Sequence, residues 1–368
     1  MNQYYVCNSC ETKYDIAENV WKCRCGGMLN LLKEKVTLDP STLQQQPPTM
    51  WRYIDAMPFE KDSKTWKGIT MGEGYTPLIV LDESEPNTLV KVDYMMPTLS
   101  FKDRGAAVLI TKAKELGVTR VIADSSGNAG TSITAYARRA NIACDIFLRE
   151  GTSSKKIAQV KAHGANIRMI NGTREDVAEA AQKAVNEEKH FYASHVYNPF
   201  FYEGTKTYAY EIWEQMKEEP DTLIIPVGNG TLLLGVYYGF KELLENKLIK
   251  KMPKLVAVQA ENCAPLAKAF INNEVVAKHF KGKSTLAEGI AIAIPARSVQ
   301  ILEAIRSTNG EIITVDEEEI AQARATLAGK GFYVEPTTAA NYAGYLKYDH
   351  SLSEKIIIPL CGAGIKAN

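Results

Sequence analysis

The sequence lacks an excess of charge of either sign. Its 368 residues contain 43 Lys and Arg against 43 Asp and Glu. Proteins held to nucleic acid or to anionic membranes by electrostatics carry a basic surplus, so this balance speaks against both kinds of partner. We therefore predict a protein that binds neither nucleic acid nor membrane.

Long hydrophobic runs are also missing. No apolar stretch approaches the roughly 20 residues that a membrane-spanning helix needs. The start, MNQYYVCNSC, has no basic segment followed by a hydrophobic one, which is the pattern of a secretory signal peptide. We expect a soluble cytoplasmic protein, and the chain is long enough for two domains.

Cysteine is scarce except near the start of the chain. Four of the seven cysteines fall within the first 25 residues: Cys7, Cys10, Cys23 and Cys25. The odd total speaks against a disulfide framework, whereas two close pairs suit a tetrahedral structural zinc site, with Gly26 and Gly27 allowing a tight second turn. Metal-free reduced thiols remain the alternative. A nucleic-acid-binding zinc ribbon is disfavoured, because no basic or aromatic patch follows.

From about Leu89 onward, short apolar runs alternate with helical patterns. The runs interpreted as strands are TRVIADSS, CDIFLRE, NIRMING, DTLIIPVGNG, KLVAVQAEN, GEIITVDE and EKIIIPLCGAG. Helical patterns lie between them, as in AGTSITAYARRA and TLLLGVYYGFKELLE. This alternation predicts parallel, doubly wound α/β sheets. The segment from Leu38 to Thr70, rich in Pro, Gln and Trp, is interpreted as an arm wrapped on the surface.

Small polar turns follow three of the predicted strands, at residues 125–128, 228–231 and 361–364. In doubly wound sheets, ligands bind outside the carboxyl ends of the strands. The turn in PVGNG can hold a phosphate on its backbone N–H groups. It is not a nicotinamide-binding G-x-G-x-x-G motif, because Leu233 stands at the third glycine position and no acidic residue follows at the required distance.

Lys102 stands between an apolar run and a helix start in TLSFKDRGAAVLI. A solvated lysine at a helix start is the ordinary interpretation. A phosphate-binding turn and a Ser-Ser-Gly-Asn turn nevertheless accompany it. Together the three features meet the needs of a pyridoxal phosphate enzyme, namely a Schiff-base lysine, a phosphate cup and an amide beside the ring.

A set of motifs, in the same order along the chain, resembles those of fold type II pyridoxal phosphate enzymes, most closely the threonine synthase family. They are GEGYTPL, SFKDRG, SSGNAG, NPFFYEGTKT, PVGNG, TLAEGIAIAIP, VEPTTAA and CGAGIK. The resemblance implies a tryptophan synthase β-like fold with two doubly wound αβα domains. It implies a zinc-knuckle-like segment over residues 1–30, a large cofactor-binding domain over 31–90 and 205–368, and a small domain over 91–204. A homodimer is expected by analogy.

The resemblance also implies roles for individual residues. Lys102 would form the Schiff base, and Asn128 would hydrogen-bond the ring oxygen of the cofactor. The cofactor phosphate would bind to Gly228, Asn229, Gly230 and Thr231. The substrate carboxylate would be received by Ser125, Ser126, Ala129 and Gly130.

Cys361 falls where the family places a neutral partner beside the pyridine nitrogen of the cofactor. Such a partner leaves that nitrogen largely unprotonated. A core cysteine without a role at the cofactor is the alternative. Asp103 and Arg104 are assigned to structure.

One segment departs from the family pattern. Threonine synthases generally have Asn-Ser-x-Asn-Pro-x-Arg-x-Glu-Gly-Gln-Lys there, and the Asn, Ser and Arg contact the substrate phosphate. In this chain Phe201 stands at the arginine position, and His195-Val196 replace Asn-Ser. A phenyl ring cannot bind a phosphate as an arginine does. We expect Phe201 to face the substrate. His195 is either a substrate-selecting or proton-transferring residue or a satisfied buried histidine.

Three functions remain open. The first is threonine synthase, which converts O-phospho-L-homoserine and water into L-threonine and phosphate; Lys206, Arg149 or Lys156 would replace the missing arginine. The second is an ammonia-lyase for threonine, serine or diaminopropionate, or a β- or γ-replacement enzyme, acting on an unphosphorylated small amino acid. SSGNAG and Cys361 resemble the serine/threonine dehydratases. The third, a non-catalytic zinc-ribbon binding protein, is disfavoured by the competent residues at each cofactor-facing position.

Overall fold

The computed structural model describes residues 3–34 and 38–366. The strands are β1 (Gln3–Cys7), β2 (Lys13–Asp15), β3 (Leu29–Lys33), β4 (Leu78–Val80), β5 (Thr88–Lys91), β6 (Arg120–Ala123), β7 (Ala143–Arg149), β8 (Asn166–Ile170), β9 (Phe191–Tyr192), β10 (Thr222–Pro226), β11 (Lys254–Ala260), β12 (Glu311–Val315) and β13 (Ile356–Pro359). The α-helices are α1 (Pro40–Leu43), α2 (Lys64–Ile69), α3 (Lys102–Glu115), α4 (Asn128–Arg139), α5 (Ser154–Ala162), α6 (Arg174–Glu188), α7 (Pro199–Thr205), α8 (Thr207–Met216), α9 (Thr231–Glu245), α10 (Pro265–Ile271), α11 (Ser298–Ser307), α12 (Glu317–Gly329) and α13 (Pro336–Lys347).

The chain divides into two compact units. The first unit comprises the described parts of Met1–Leu38, together with Met50–Glu73 and Lys102–Gly204. The second comprises Asp39–Thr49, Gly74–Phe101 and the described parts of Thr205–Asn368. Each unit is therefore built from segments that are separated in the sequence.

The first unit contains two sheets. Its parallel sheet has the strand order β8-β7-β6-β9, and its antiparallel sheet, formed by the amino-terminal strands, has the order β2-β1-β3. Helix α3 is buried along nearly its whole length. Small and apolar residues such as Ala106, Ala107 and Leu109 lie on several of its faces, so that the helix can pack against neighbours on all sides. The expected alternation of strands and helices is confirmed in this unit.

The larger part of the segment expected to be a surface arm, from Met50 onward, instead contributes to the core of the first unit. Met50, Trp51, Ile54 and Phe59 are almost fully buried and belong to the same apolar cluster as α3. The arm prediction was wrong because a short 3₁₀ turn over residues 50–56 has no helical or strand period that would reveal a buried face. The expected domain division placed these residues with 31–90, whereas the structure places them in the first unit.

The second unit contains a six-stranded sheet with the order β12-β11-β10-β13-β5-β4. All neighbouring strands are parallel except β4, which runs antiparallel to β5 at the edge. Strands β10 and β13 are buried almost throughout, as is typical of central parallel strands covered on both faces. The doubly wound α/β fold predicted from the sequence is confirmed.

Helix length and polarity bear on membrane insertion. Among the residues that the structure describes, no helix combines the length and the apolar character that crossing a bilayer requires.

Candidate active site

The turn that links β6 to α4, called here the Ser125 turn (residues 125–130), closes very tightly. The Gly127 N–H donates to Ser125 Oγ at 3.4 Å, and α4 begins at Asn128. A Cβ on Gly130 would lie 1.8 Å from the Ser125 carbonyl oxygen, so only glycine fits there. The first N–H groups of a helix have no partner within the helix, which makes this turn suited to an anion such as a carboxylate.

Lys102 is the first residue of α3 in the first unit. The next residue, Asp103, is fully buried and accepts a hydrogen bond from the Ser132 hydroxyl on α4. This bond ties the helix that starts at Lys102 to the helix that follows the Ser125 turn. Arg104 is also fully buried, so the structure places both Asp103 and Arg104 in the packed interior.

Phe201 packs directly beneath α3. It is fully buried, and a Cβ on Gly105 would lie 2.4 Å from its ring carbons, so the glycine makes room for the ring. The Lys102 Nζ atom lies 5.9 Å from the ring centroid of Phe201. The sequence-predicted residues Lys102 and Phe201 are therefore neighbours.

His195 lies next to the same ring. The His195 and Phe201 ring centroids are 5.9 Å apart in an edge-to-face arrangement. Burial lowers the pKa of His195 well below its usual value, and the positive charges of Lys102 and Arg174 lower it further. The imidazole is consequently uncharged at neutral pH and offers no cation to an anionic substrate group.

The turn that links β10 to α9, called here the Gly228 turn (residues 227–231), is closed from outside. A Cβ on Gly228 would lie 2.8 Å from Ile292 Cγ1 and 2.9 Å from Ile290 Cα. Gly230 has a φ of +73°, a conformation that glycine adopts without strain, and Thr231 opens α9. Asn229 is partly buried between the two glycines. The result is a cradle of backbone N–H groups at a helix start, which fits a phosphate.

Cys361 follows β13 in the second unit and is almost fully buried. Its carbonyl oxygen accepts a hydrogen bond from the Phe101 N–H at 3.0 Å. Phe101 directly precedes Lys102 in the sequence. The backbone at Cys361 therefore fixes Phe101, and both residues lie in the second unit.

Two buried carboxylates hold the GEGYTPL loop, and sequence reasoning missed both of these roles. In the first unit, Glu73 accepts hydrogen bonds from the Trp51 indole at 2.5 Å and the Tyr136 hydroxyl at 2.9 Å. In the second unit, Glu211 accepts the Tyr75 N–H at 2.7 Å and pairs with Lys91 at 2.7 Å. Their partners are distant in sequence, so no local pattern indicates these bonds.

Of the cations expected to replace the missing arginine, Lys206 is already engaged. Its side chain is 2% exposed, and its Nζ lies 2.7 Å from Glu242 Oε1, both within the second unit. This ion pair neutralises its charge. Arg149 is exposed at the end of β7, and Lys156 is half-buried on α5.

The four amino-terminal cysteines form one cluster, in which the sulfur atoms all lie within 4.8 Å of one another. The pairs Cys7–Cys25 and Cys10–Cys23 are 3.5 and 3.6 Å apart. Four thiolates around a tetrahedral zinc ion lie about 3.8 Å apart, so the cluster could hold that metal. A Cβ on Gly27 would lie 2.5 Å from Cys7 Sγ, which explains the glycine after the second pair.

Comparison with known proteins agrees with this geometry. A family model described as "Pyridoxal-phosphate dependent enzyme" matches residues 69–362. A threonine synthase from Methanocaldococcus jannaschii is 34% identical, over 98% of this chain and 92% of its own. A threonine synthase from Bacillus sp. (strain ULM1) is 36% identical, over 81% of this chain and 85% of its own.

Two solved structures share the fold. The processed form of threonine deaminase isoform 2 from Solanum lycopersicum has a TM-score of 0.69 at 22% identity, covering 90% of this chain and 87% of that one. Maize serine racemase has a TM-score of 0.68 at 20% identity, covering 78% and 88%. The chain belongs to the fold type II pyridoxal-phosphate-dependent enzymes and, within them, to the threonine synthase family. It is a pyridoxal-phosphate-dependent lyase, as the sequence predicted.

The residues present fit this cofactor, because the Gly228 turn places backbone N–H groups at the start of α9, where a phosphate can bind. In the first unit, direct contacts bring together Lys102, Phe201 and His195, and the Asp103–Ser132 bond links α3 to the helix of the Ser125 turn. The second unit contains the Gly228 turn and Cys361. The individual roles of these residues remain predictions.

Proposed function

We propose that this lyase acts on a small amino acid and that its first candidate reaction is that of threonine synthase. This reaction converts O-phospho-L-homoserine and water into L-threonine and phosphate. The observation that carries the proposal is the 34% identity to a protein named threonine synthase over 98% of the chain. The tight Ser125 turn and the Gly228 cradle support it.

Each proposed residue has a limited task. The cofactor, when bound, withdraws electrons from the substrate α-carbon and so allows bonds at the neighbouring carbons to break. Lys102 holds the cofactor covalently and moves protons at the substrate carbons with its amine. The Ser125 turn binds the substrate carboxylate through its N–H groups and hydroxyls, and the Gly228 turn binds the cofactor phosphate.

A second candidate is an ammonia-lyase or replacement reaction on an unphosphorylated amino acid. The observation that favours it is that neither of the two neighbouring rings, Phe201 and His195, brings a positive charge close to the Lys102 amine. Phe201 lies 5.9 Å from that amine, and burial keeps the adjacent His195 uncharged. A phosphate on the substrate would find no cation in either side chain.

An assay panel separates the two candidates. Phosphate release from O-phospho-L-homoserine, with threonine as the product, supports the first. Keto-acid formation from serine, threonine or diaminopropionate supports the second and excludes the first if no phosphate is released. Lys102→Ala should abolish the visible absorbance of the bound cofactor and lower activity at least about a thousandfold, because the proton-transferring amine is lost. Purified protein that stays colourless with added cofactor would overturn both candidates.

The assembly and location are also proposed, as a homodimer in the cytoplasm. The homodimer follows only from analogy within the fold type. Light scattering of the holoenzyme tests it, since a monomer mass at micromolar concentration would exclude a stable dimer. Fractionation of cells producing the tagged full chain tests the location.

A further inference from the structure

No role for the VEPTTAA motif follows from the sequence. In the structure, this motif forms hydrogen bonds with Gly362, the residue after Cys361. The Glu335 N–H donates to the Gly362 carbonyl at 3.0 Å, and the Gly362 N–H donates to Thr338 Oγ1 at 3.2 Å. Val334 forms an isolated antiparallel bridge with Ala363. The start of α13 is therefore fixed to the backbone on the carboxyl side of Cys361.

The Glu335 side chain is directed at this backbone. A Cβ on Gly362 would lie 2.4 Å from the Glu335 carboxyl carbon and 2.5 and 2.6 Å from its two oxygens. The carboxylate thus occupies the space beside Gly362 that any larger residue would fill. Glu335 precedes α13, but its side chain does not cap that helix, whereas Asp316 caps α12 by accepting the Glu319 N–H at 2.8 Å.

The position of Glu335 favours a negative charge. It stands at the amino-terminal end of the 12-residue helix α13, where the helix dipole stabilises an anion. Cys361, the neighbouring residue of the predicted site, contributes a buried thiol rather than a carboxylate. Of these two neighbouring side chains, Glu335 is therefore the one that carries a carboxylate.

The same segment also reaches the structure around the Gly228 turn. Thr337 Oγ1 accepts the Gly289 N–H at 3.2 Å. The stretch from Gly289 to Ile292 is the one that lies against Gly228. Three residues of this motif, Glu335, Thr337 and Thr338, therefore connect both predicted cofactor-binding ends of the second unit.

We propose that Glu335 is a further functional residue, whose carboxylate lies at the ring-nitrogen end of the cofactor and raises the protonated fraction of that nitrogen. An adjacent negative charge stabilises a pyridinium cation and so opposes the effect of the neutral Cys361 thiol. A more protonated ring withdraws electrons more strongly from the substrate. The inference rests on the proposed function, in which Cys361 adjoins the ring nitrogen.

The test measures the ring nitrogen directly. Holoenzyme loaded with ¹⁵N-labelled pyridoxal phosphate is examined by NMR at one fixed pH, with no substrate present. Glu335→Gln should move the ring ¹⁵N resonance toward the unprotonated pyridine position, with the ratio of protonated to unprotonated nitrogen falling about tenfold. Glu335→Asp, which keeps the negative charge, should keep most of the wild-type ratio of protonated to unprotonated nitrogen. Glu318→Gln, an exposed carboxamide replacement on α12, is the matched control and should leave the resonance unchanged.

A second arm separates this inference from the proposed site. Cys361→Asp should move the resonance toward the protonated position if Cys361 adjoins the ring nitrogen. A shift in Cys361→Asp without one in Glu335→Gln overturns the role of Glu335 and leaves the site standing. No shift in either variant overturns both. Should Glu335→Gln not yield folded holoenzyme, Glu335→Ala provides a second neutral variant, read by the same resonance.

Discussion

The Ser125 turn and the Gly228 turn have the same construction and offer different chemistry. In each, a parallel strand ends, a short turn with glycine follows, and a helix begins. The Ser125 turn presents hydroxyl and amide side chains from Ser125, Ser126 and Asn128. The Gly228 turn presents mainly backbone, with Asn229 between two glycines.

The two turns differ in the clash that each glycine avoids by having no Cβ. Gly130 avoids a clash inside its own turn, with the Ser125 carbonyl, whereas Gly228 avoids a clash with a separate segment, at Ile290 and Ile292. One turn is closed by its own backbone and the other by its surroundings. The amino-terminal end of a helix can bind an anion in either construction. We therefore expect the side chains beside each helix start to decide whether that anion is a carboxylate or a phosphate.

Gly130→Ala should have the largest effect, because its Cβ would lie 1.8 Å from a backbone oxygen that cannot move aside cheaply. We expect kcat/KM for the amino acid to fall at least about a hundredfold, since displacing a binding turn by about 1 Å costs that much. Cofactor affinity, measured by absorbance titration, should change far less. Gly127→Ala, whose methyl meets nothing within 4 Å, should lose much less activity. Equal losses in the two variants would contradict the steric argument.

Gly228→Ala should act on the cofactor instead. Its Cβ meets Ile292 at 2.8 Å and Ile290 at 2.9 Å, and overpacking of this kind costs about 1–3 kcal/mol. We expect a rise in the cofactor dissociation constant of about tenfold or more. Gly329→Ala, in open space at the end of α12, is the matched control and should bind cofactor normally. If Gly130→Ala weakened cofactor binding more than Gly228→Ala, the assigned functions of the two turns would be reversed.

Phe201→Arg tests which distal group the substrate carries, beyond the carboxylate that we propose binds at the Ser125 turn. An arginine at this position should raise turnover of O-phospho-L-homoserine about tenfold, because a charged hydrogen bond contributes about 1.5–3 kcal/mol. Phe201→Leu removes the ring without adding a cation and should give no such gain. Thermal unfolding of both variants checks that the buried site tolerates the change. A folded Phe201→Arg enzyme with no gain on the phosphorylated substrate would show that residue 201 does not face it.

Removal of metal from the cysteine cluster should have the smallest effect on either turn. A chelator is expected to lower the melting temperature while leaving both cofactor affinity and KM nearly unchanged, because a four-thiolate zinc site is structural. Cys10→Ser is the informative variant, since Cys10 is exposed and its loss removes a ligand without opening the core. Mass spectrometry should find about one zinc ion per wild-type chain and none in the variant. Zinc retained by Cys10→Ser would argue against the four-cysteine set.

The fold was largely predictable because its signals are local. Strands such as β10 and helices such as α9 carry their own periodicity and sit within a few residues of the expected bounds. The strand-end rule also identified the Ser125 and Gly228 turns correctly as strand-to-helix connections. The buried stretch from Met50 to Phe59 could not be recognised, since an irregular segment has no period.

The supporting residues of the site were beyond the reach of the sequence for a different reason. Glu73 accepts from Tyr136, 63 residues away, and Glu211 accepts from Tyr75, 136 residues away. Glu335 faces Gly362, which only the folded second unit brings near. Carboxylates of this kind look like ordinary charged residues until their partners are placed in space.

The strand order of the second unit affects how the chain is made. β13, the last of the described strands along the sequence, lies between β10 and β5 in the sheet. During synthesis, β5 leaves the ribosome early and keeps an unpaired edge until nearly the whole polypeptide has emerged. An exposed strand edge invites association with other chains, so newly made copies should depend on chaperones throughout that interval.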